Sequence, residues 1–160
     1  MTEKLFVSFN SPQCGYMSIC LRAGDEREFT TAMRYKPYDS LTDWMKTLSS
    51  LIVGEGAFTV KWNAEPEEFD FNVERKGENV WLNVIRYQDH RRFDASKATI
   101  FTFEGDLKEF CLAFWKTLEN LRRDIETDEF DKNWRREFPQ QEFDRLRALV
   151  SERIENTGPM

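Results

Sequence analysis

Residues 67–87, EEFDFNVERKGENVWLNVIRY, contain two runs in which apolar and polar residues alternate on either side of a Lys76-Gly77 pair. Alternation at period two marks a half-buried strand, because successive side chains of an extended chain point to opposite faces. The runs 67–75 and 80–87 therefore read as a hairpin whose register can be set from the residues. With Lys76-Gly77 as a two-residue turn, Val73 faces Val80, Phe71 faces Leu82 and Phe69 faces Val84, and every pair is apolar. A four-residue loop would set Phe69 against Arg86, and an odd loop would mix the faces, so the tight turn is preferred. Upstream, the strand 57–62 joins through the four-residue loop Asn63-Ala64-Glu65-Pro66, which brings Val60 opposite Phe69 and Phe58 opposite Phe71. Three strands then share one apolar face.

The same alternation turns Glu68, Asp70, Asn72 and Glu74 to the reverse side, beside Trp81, Asn83, Ile85 and Tyr87. A solvated antiparallel face is mainly polar. Trp81, Ile85 and Tyr87 on this face require a cover, which is either a helix of the same chain or another protein. The acidic and aromatic mixture makes Glu68, Asp70, Glu74, Trp81, Ile85 and Tyr87 the candidate partner-binding residues. His90, in the long loop that follows, would sit at their rim.

Around this hairpin the chain alternates between strands and helices. Strand candidates at 4–9, 15–23 and 26–35 open it, and the short Gly24-Asp25 connection favours an antiparallel meander over a parallel crossover. After Pro37, Ser40 with Asp43 three residues on has the capping-box pattern. Leu41, Trp44, Met45, Leu48, Leu51 and Ile52 then recur at helical spacing up to Gly54. A further strand at 98–103 precedes Asp106, a predicted N-cap with Glu109 at its third position. It leads a helix whose stripe runs Leu107, Phe110, Cys111, Phe114, Leu118, Leu121 and Ile125. Trp115 falls at the edge of that stripe. In 124–138 the aromatics Phe130 and Trp134 stand among Glu126, Asp128, Glu129, Asp131, Arg135 and Arg136, and are read first as pegs that close the domain's end. Pro139 suits the first turn of a last helix carrying Phe143, Leu146, Leu149 or Val150, and Ile154; the tail from Asn156 should fray. The expected fold is α+β: a largely antiparallel sheet of about six to seven strands in two meanders, one helix between them, and two or more C-terminal helices packed on the sheet. No linker or repeat divides the 160 residues, so one domain is expected.

Composition narrows the function classes. With 29 acidic against 23 basic residues the formal charge is −6, which opposes general adhesion to nucleic acid or anionic membrane and suits a basic protein partner. Fourteen Phe and five Trp are above the norm, and any beyond what the core needs would supply anchors for an interface. Cys14, Cys20 and Cys111 are odd in number and show no CxxC spacing. They suggest a reducing, cytoplasmic setting, with Cys20 and Cys111 as small buried thiols. No run approaches the length of a membrane span.

The search for chemistry is mostly negative. One His cannot assemble the usual zinc sets, the run 65–70 lacks the spacing and Gly of an EF-hand loop, and no nucleophile elbow, Walker loop or dinucleotide turn occurs. No cofactor is expected. The loop 88–97 holds Asp89, His90, Arg91 and Arg92. It could serve acid/base work or grip a phosphorylated or acidic small molecule in an enzyme or ligand-binding domain, but no nucleophile accompanies it. A non-enzymatic binding module is the reading preferred over that alternative, as a monomer or as a homodimer through the exposed face.

On the stretch Trp62-Asn63-Ala64-Glu65-Pro66-Glu67-Glu68-Phe69-Asp70, the later Phe114-Trp115, and the order of strands before helix, the chain resembles the small acidic immunity proteins of bacterial toxin and immunity systems. The resemblance implies a non-enzymatic inhibitor that neutralises a cognate toxin, often a basic nuclease, by covering its active site or an essential surface.

Overall fold

The computed structural model describes residues 4–24, 26–124 and 129–155; the expectations for Asp25, Ile125, Glu126, Asp128 and the tail from Asn156 fall outside these residues. Two antiparallel sheets are present. The first is the meander β1 (Leu5–Phe9), β2 (Tyr16–Ala23) and β3 (Arg27–Arg34), and the second is β4 (Gly56–Asn63), β5 (Glu68–Lys76), β6 (Asn79–Tyr87) and β7 (Ala98–Asp106), paired in sequence order. Helix α1 (Ser40–Val53) joins the sheets. Helices α2 (Leu107–Asp124), α3 (Phe130–Trp134) and α4 (Gln140–Leu149) follow, and α4 runs into a wider π-type turn at Val150–Glu155.

The faces of the central hairpin are those the alternation predicts, but its pairs are displaced by one pleat. Lys76 pairs with Asn79, so the two-residue turn is Gly77-Glu78, and Val73 faces Leu82, Phe71 faces Val84 and Phe69 faces Arg86. Gly77 has φ +60, whereas Lys76 and Glu78 keep negative φ. A tight hairpin turn matched to strand twist needs positive φ at its first central residue, which glycine supplies without strain and lysine does not. Sliding by two residues moves no side chain to the other face. The β4–β5 loop is likewise four residues long but begins one residue later, at Ala64. Trp62 therefore opposes Phe69, Val60 opposes Phe71 and Phe58 opposes Val73. Asn63 extends the strand because its side-chain amide donates to the Lys36 carbonyl and its oxygen accepts from the Glu65 amide.

Helix α1 buries the predicted stripe, but Ser40 does not cap it. Its hydroxyl donates to the Lys61 carbonyl at 2.5 Å and ties α1 to β4, while Asp39 takes the N-cap position without a side-chain cap. In α2 the predicted cap forms: the Glu109 amide donates to Asp106 Oδ2 at 3.2 Å. The strand β7 thus passes directly into a helix. Pro139 lies one position before α4, where its carbonyl accepts from the Phe143 amide.

One aromatic cluster joins both sheets to both long helices. Trp44 of α1 stacks on Phe114 of α2 at 4.5 Å and meets the Phe71 ring of β5 edge-on at 5.7 Å. Phe114 lies 6.0 Å from Phe9 of β1, which in turn meets Trp62 of β4 at 5.5 Å, and Phe29 of β3 closes on Phe69 and Phe71. Phe130, Trp134 and Phe138 are buried as the expected pegs, and Trp115 is buried under Phe143 at 4.9 Å. Burying such rings removes large apolar areas from water and adds ring-ring attraction. Truncating Phe114 to Ala should therefore cost about 3–5 kcal/mol in urea unfolding. A cost below about 1 kcal/mol would mean that the ring is not central to the core.

Cys111 is buried and Cys14 exposed, as free thiols; Cys20 is only half-buried, contrary to expectation, because it points to the outer side of β2 between Ser8 and Thr30. Burial pushes the Cys111 thiol from an ordinary 9.0 up to about 12. Between those values the unfolded chain has released a proton that the native state still holds, so stability falls as pH rises through this window. The slope of unfolding free energy against pH above about 9 should be shallower in Cys111→Ala than in the parent; equal slopes would place the thiol in contact with water.

Candidate functional site

The reverse side of the four-stranded sheet is where the sequence locates the candidate residues. Its two ends differ. At one end, the loop that follows β6 folds back over the sheet and inserts Arg92, a residue with φ +53. The Arg92 guanidinium donates to Glu68 Oε1 and to Asp70 Oδ1, both at 2.6 Å. Its centre lies 5.0 Å from the Tyr87 ring and 5.7 Å from that of Tyr38, whose hydroxyl donates to Glu68 Oε1 at 2.7 Å. Tyr87 reaches Asp70 Oδ2 at 3.4 Å.

These contacts give Glu68, Asp70, Ile85 and Tyr87 an internal role. Glu68 is 2% exposed, and Ile85 and Tyr87 are each 8% exposed. The cover that the sequence demanded for these rings is therefore neither a helix nor a second protein but the chain's own loop. Placing Glu68, Ile85 and Tyr87 on an open docking surface is corrected accordingly. Asp70 is mostly enclosed with them, its side chain 16% exposed. Burial works against the charge on Arg92, but the hydrogen bonds to Asp70 and Glu68 outweigh it and raise its pKa above the ordinary arginine value. Burial, followed by the bond to Glu68, raises the Tyr38 phenol.

The other end of the face remains open. Trp81 is half-buried, with Glu74 opposite it on β5 and Glu104 opposite it on β7, both exposed. Directly opposed antiparallel residues have Cβ atoms about 4.5–5.5 Å apart, so the indole stands between two carboxylates. Among the described residues neither Glu74 nor Glu104 makes an ion pair. A cleft of about 340 Å³ beside Trp81 is lined by Phe58, Thr59, Asn72, Glu74 and Asn83. Its floor is ordered by the Thr59 hydroxyl, which donates to Asn72 Oδ1 at 2.6 Å.

The loop divides its four polar residues between different tasks. Asp89 is clamped by Arg91, which donates to both carboxylate oxygens, and this holds Asp89 at about 2. His90 is exposed, and Asp89 makes no hydrogen bond to it. With Arg92 committed to Glu68 and Asp70 and Arg91 to Asp89, the small-molecule alternative retains only His90 as an unengaged group of the four. Phe93 is 57% exposed on the same loop, with the Arg91 guanidinium 4.9 Å above its ring.

Sequence reasoning missed Arg92 as the lock, Tyr38 as its partner, and Glu104 and Phe93 as surface residues. Phe93 could have been found as an aromatic in a long loop. The pairing of Arg92 with residues 22 and 24 positions earlier has no local signal. No helix among the described residues is long and apolar enough to cross a membrane, and no group of three metal-ligating side chains converges. Comparison with family models, curated proteins and solved structures finds no match.

Removing Arg92 leaves two enclosed carboxylates facing each other. Arg92→Met should cost about 2–4 kcal/mol in guanidinium chloride unfolding, somewhat below a fully buried pair because the guanidinium keeps some exposure. Adding Glu68→Gln and Asp70→Asn should recover much of the loss. A cost under about 1 kcal/mol for the single change would place the cluster with ordinary surface ion pairs.

Proposed function

We propose that this chain is a non-enzymatic protein-binding module, an inhibitor of the immunity-protein type, that holds a basic partner on the open end of the reverse sheet face. The observation that carries the reading is Trp81, half-buried on an uncovered strand face between the unpaired carboxylates Glu74 and Glu104. An indole in such a place supplies apolar area with little ordering entropy, which slows dissociation. The flanking carboxylates raise the encounter rate with a positive surface and penalise a negative one. A toxin nuclease, which needs a basic surface to approach nucleic acid, is a partner of this chemistry.

Glu68 and Asp70 contribute nothing direct to this surface, since Arg92 already uses their charge. Their contribution is to hold the loop, so that His90 and Phe93 are presented from a fixed base. The docking set is thus Glu74, Trp81 and Glu104, with His90 and Phe93 on the adjoining loop.

The partner can be captured from source cells by cross-linking through a photoreactive residue at Asn83 and then studied pure by surface plasmon resonance. Trp81→Ala should weaken the complex by about 2–4 kcal/mol, mainly through faster dissociation. The pair Glu74→Lys and Glu104→Lys should slow association and flatten its dependence on salt. If the partner is a toxin, co-expression of the parent chain should restore growth and the Trp81 variant should not. Unchanged affinity in both sets of variants would remove this face from the binding surface.

A further inference from the structure

We propose that the cleft beside Trp81 is a socket for one arginine side chain of the basic partner, laid flat on the indole. The inference rests on the reading of this face as a docking surface and adds to it the chemical group that the face selects.

The other rings of the chain show what Trp81 lacks. Among the described residues three aromatic side chains are exposed, Phe6, Tyr16 and Phe93, and each lies under an arginine of the chain itself. Arg22 stands 4.5 Å, Arg34 5.4 Å and Arg91 4.9 Å from the respective ring centre. A cation over a ring face is held by the ring's quadrupole, and indole is the strongest of the three ring types. Trp81 has no cation over it and no aromatic neighbour among the described residues. Its one uncovered position on the sheet is therefore open to a cation from outside.

The charges beside the indole have one sign. Glu74 and Glu104 stand on either side of it, with Ala57 beyond Glu74 on β4. The row toward the sealed end, Thr59, Asn72, Asn83 and Thr102, is uncharged. In the row outward, Lys76 is offset by Asp106 across Asn79. Lys61 lies four residues from Ala57, about 13 Å along the strand, where physiological salt screens most of its field.

The lining selects arginine over lysine. The cleft of about 340 Å³ is bounded by Thr59, Asn72, Glu74 and Asn83 beside Trp81. That volume is at the lower end of ligand pockets, about 300–1,000 Å³, and suits a side chain better than a helix or a strand. A guanidinium is planar, so its face can stack on the indole while its edge still presents five donors. Acceptors for that edge are the Glu74 carboxylate, the Asn83 carboxamide oxygen and the second lone pair of Asn72 Oδ1, whose first takes the Thr59 hydroxyl. An ammonium is a compact and more strongly hydrated charge, and gives up more water to lie on a ring. Glu104 is not part of the cleft lining and acts through its field from the far side of the indole, so it contributes less than Glu74.

Two-dimensional proton–nitrogen NMR of the full chain tests the socket, with the amides of N-acetyl-arginine, N-acetyl-lysine and the neutral N-acetyl-citrulline as probes at constant ionic strength. The Trp81 indole N–H is identified as the one of five that is lost in Trp81→Phe. The expected result is a saturating shift of that resonance by the arginine probe with Kd of about 10 mM, lysine binding about threefold weaker or less, and no saturation by citrulline. Glu74→Gln should weaken arginine binding about two- to fivefold, and Glu104→Gln by less than about twofold. Both carboxylates are exposed, and thermal melts confirm that the two variants fold. Equal binding of lysine and arginine, equal binding of citrulline, affinity unchanged in Glu74→Gln, or no saturation by about 100 mM would overturn the socket. If the arginine probe fails while Trp81→Ala still weakens the purified complex, the socket falls and the docking face stands. If the probe binds but Trp81→Ala leaves the complex unchanged, the partner does not dock here, and the assignment of the socket to it falls as well.

Discussion

The contact on which the architecture depends is the stack of Trp44 on Phe114, with Phe71 edge-on to the indole. Neither sheet can bury its apolar face on the other alone, because α1 and α2 contribute rings to the same cluster. Phe9 and Phe29 bring the first sheet to this point, and Trp62 and Phe69 bring the second. The arrangement commits the front of β4–β7 to the core. It leaves the reverse face without a helix, and the chemistry of that face then depends on what the following loop can reach.

Arg92 supplies that cover in an economical way. Tethering a loop through one arginine and two carboxylates requires desolvating three charges, a balance that an apolar plug of similar size could equal or exceed. What the ionic arrangement adds is geometry: a planar guanidinium bonded to two carboxylates of β5 and flanked by two tyrosine rings has few alternative placements. The positive φ at Arg92 is tolerated because these contacts over-determine it. The result is a face divided into a sealed end and an open one. At the open end Glu74 and Glu104 flank the indole, and among the described residues neither makes an ion pair.

Much of the fold was legible because it rests on periodicity. The alternation in β5 and β6, the helical stripes of α1 and α2, and the Asp106 cap all reflect local rules that the structure obeys. The errors come from residues with two possible tasks. Gly77 could stand first or second in its turn, and only the sign of φ that the first position demands resolves it. Ser40 could cap its helix or bond the Lys61 carbonyl, and the approach of β4 decides for the latter. The candidate site was legible in its face but not in its accessibility. Glu68 and Glu74 occupy equivalent positions in an alternating run, and what separates them is a cation 24 residues beyond the first.

That separation bears on how acidity should be interpreted in a chain of this kind. A net charge of −6 describes the field far from the molecule, which sets the class of partner it attracts. Close to the surface, the acting charges are those left after internal pairing. Around Trp81 they are Glu74 and Glu104. Because physiological salt screens exposed charges beyond about 8 Å, whatever stands over the indole meets these two carboxylates before it meets the net charge.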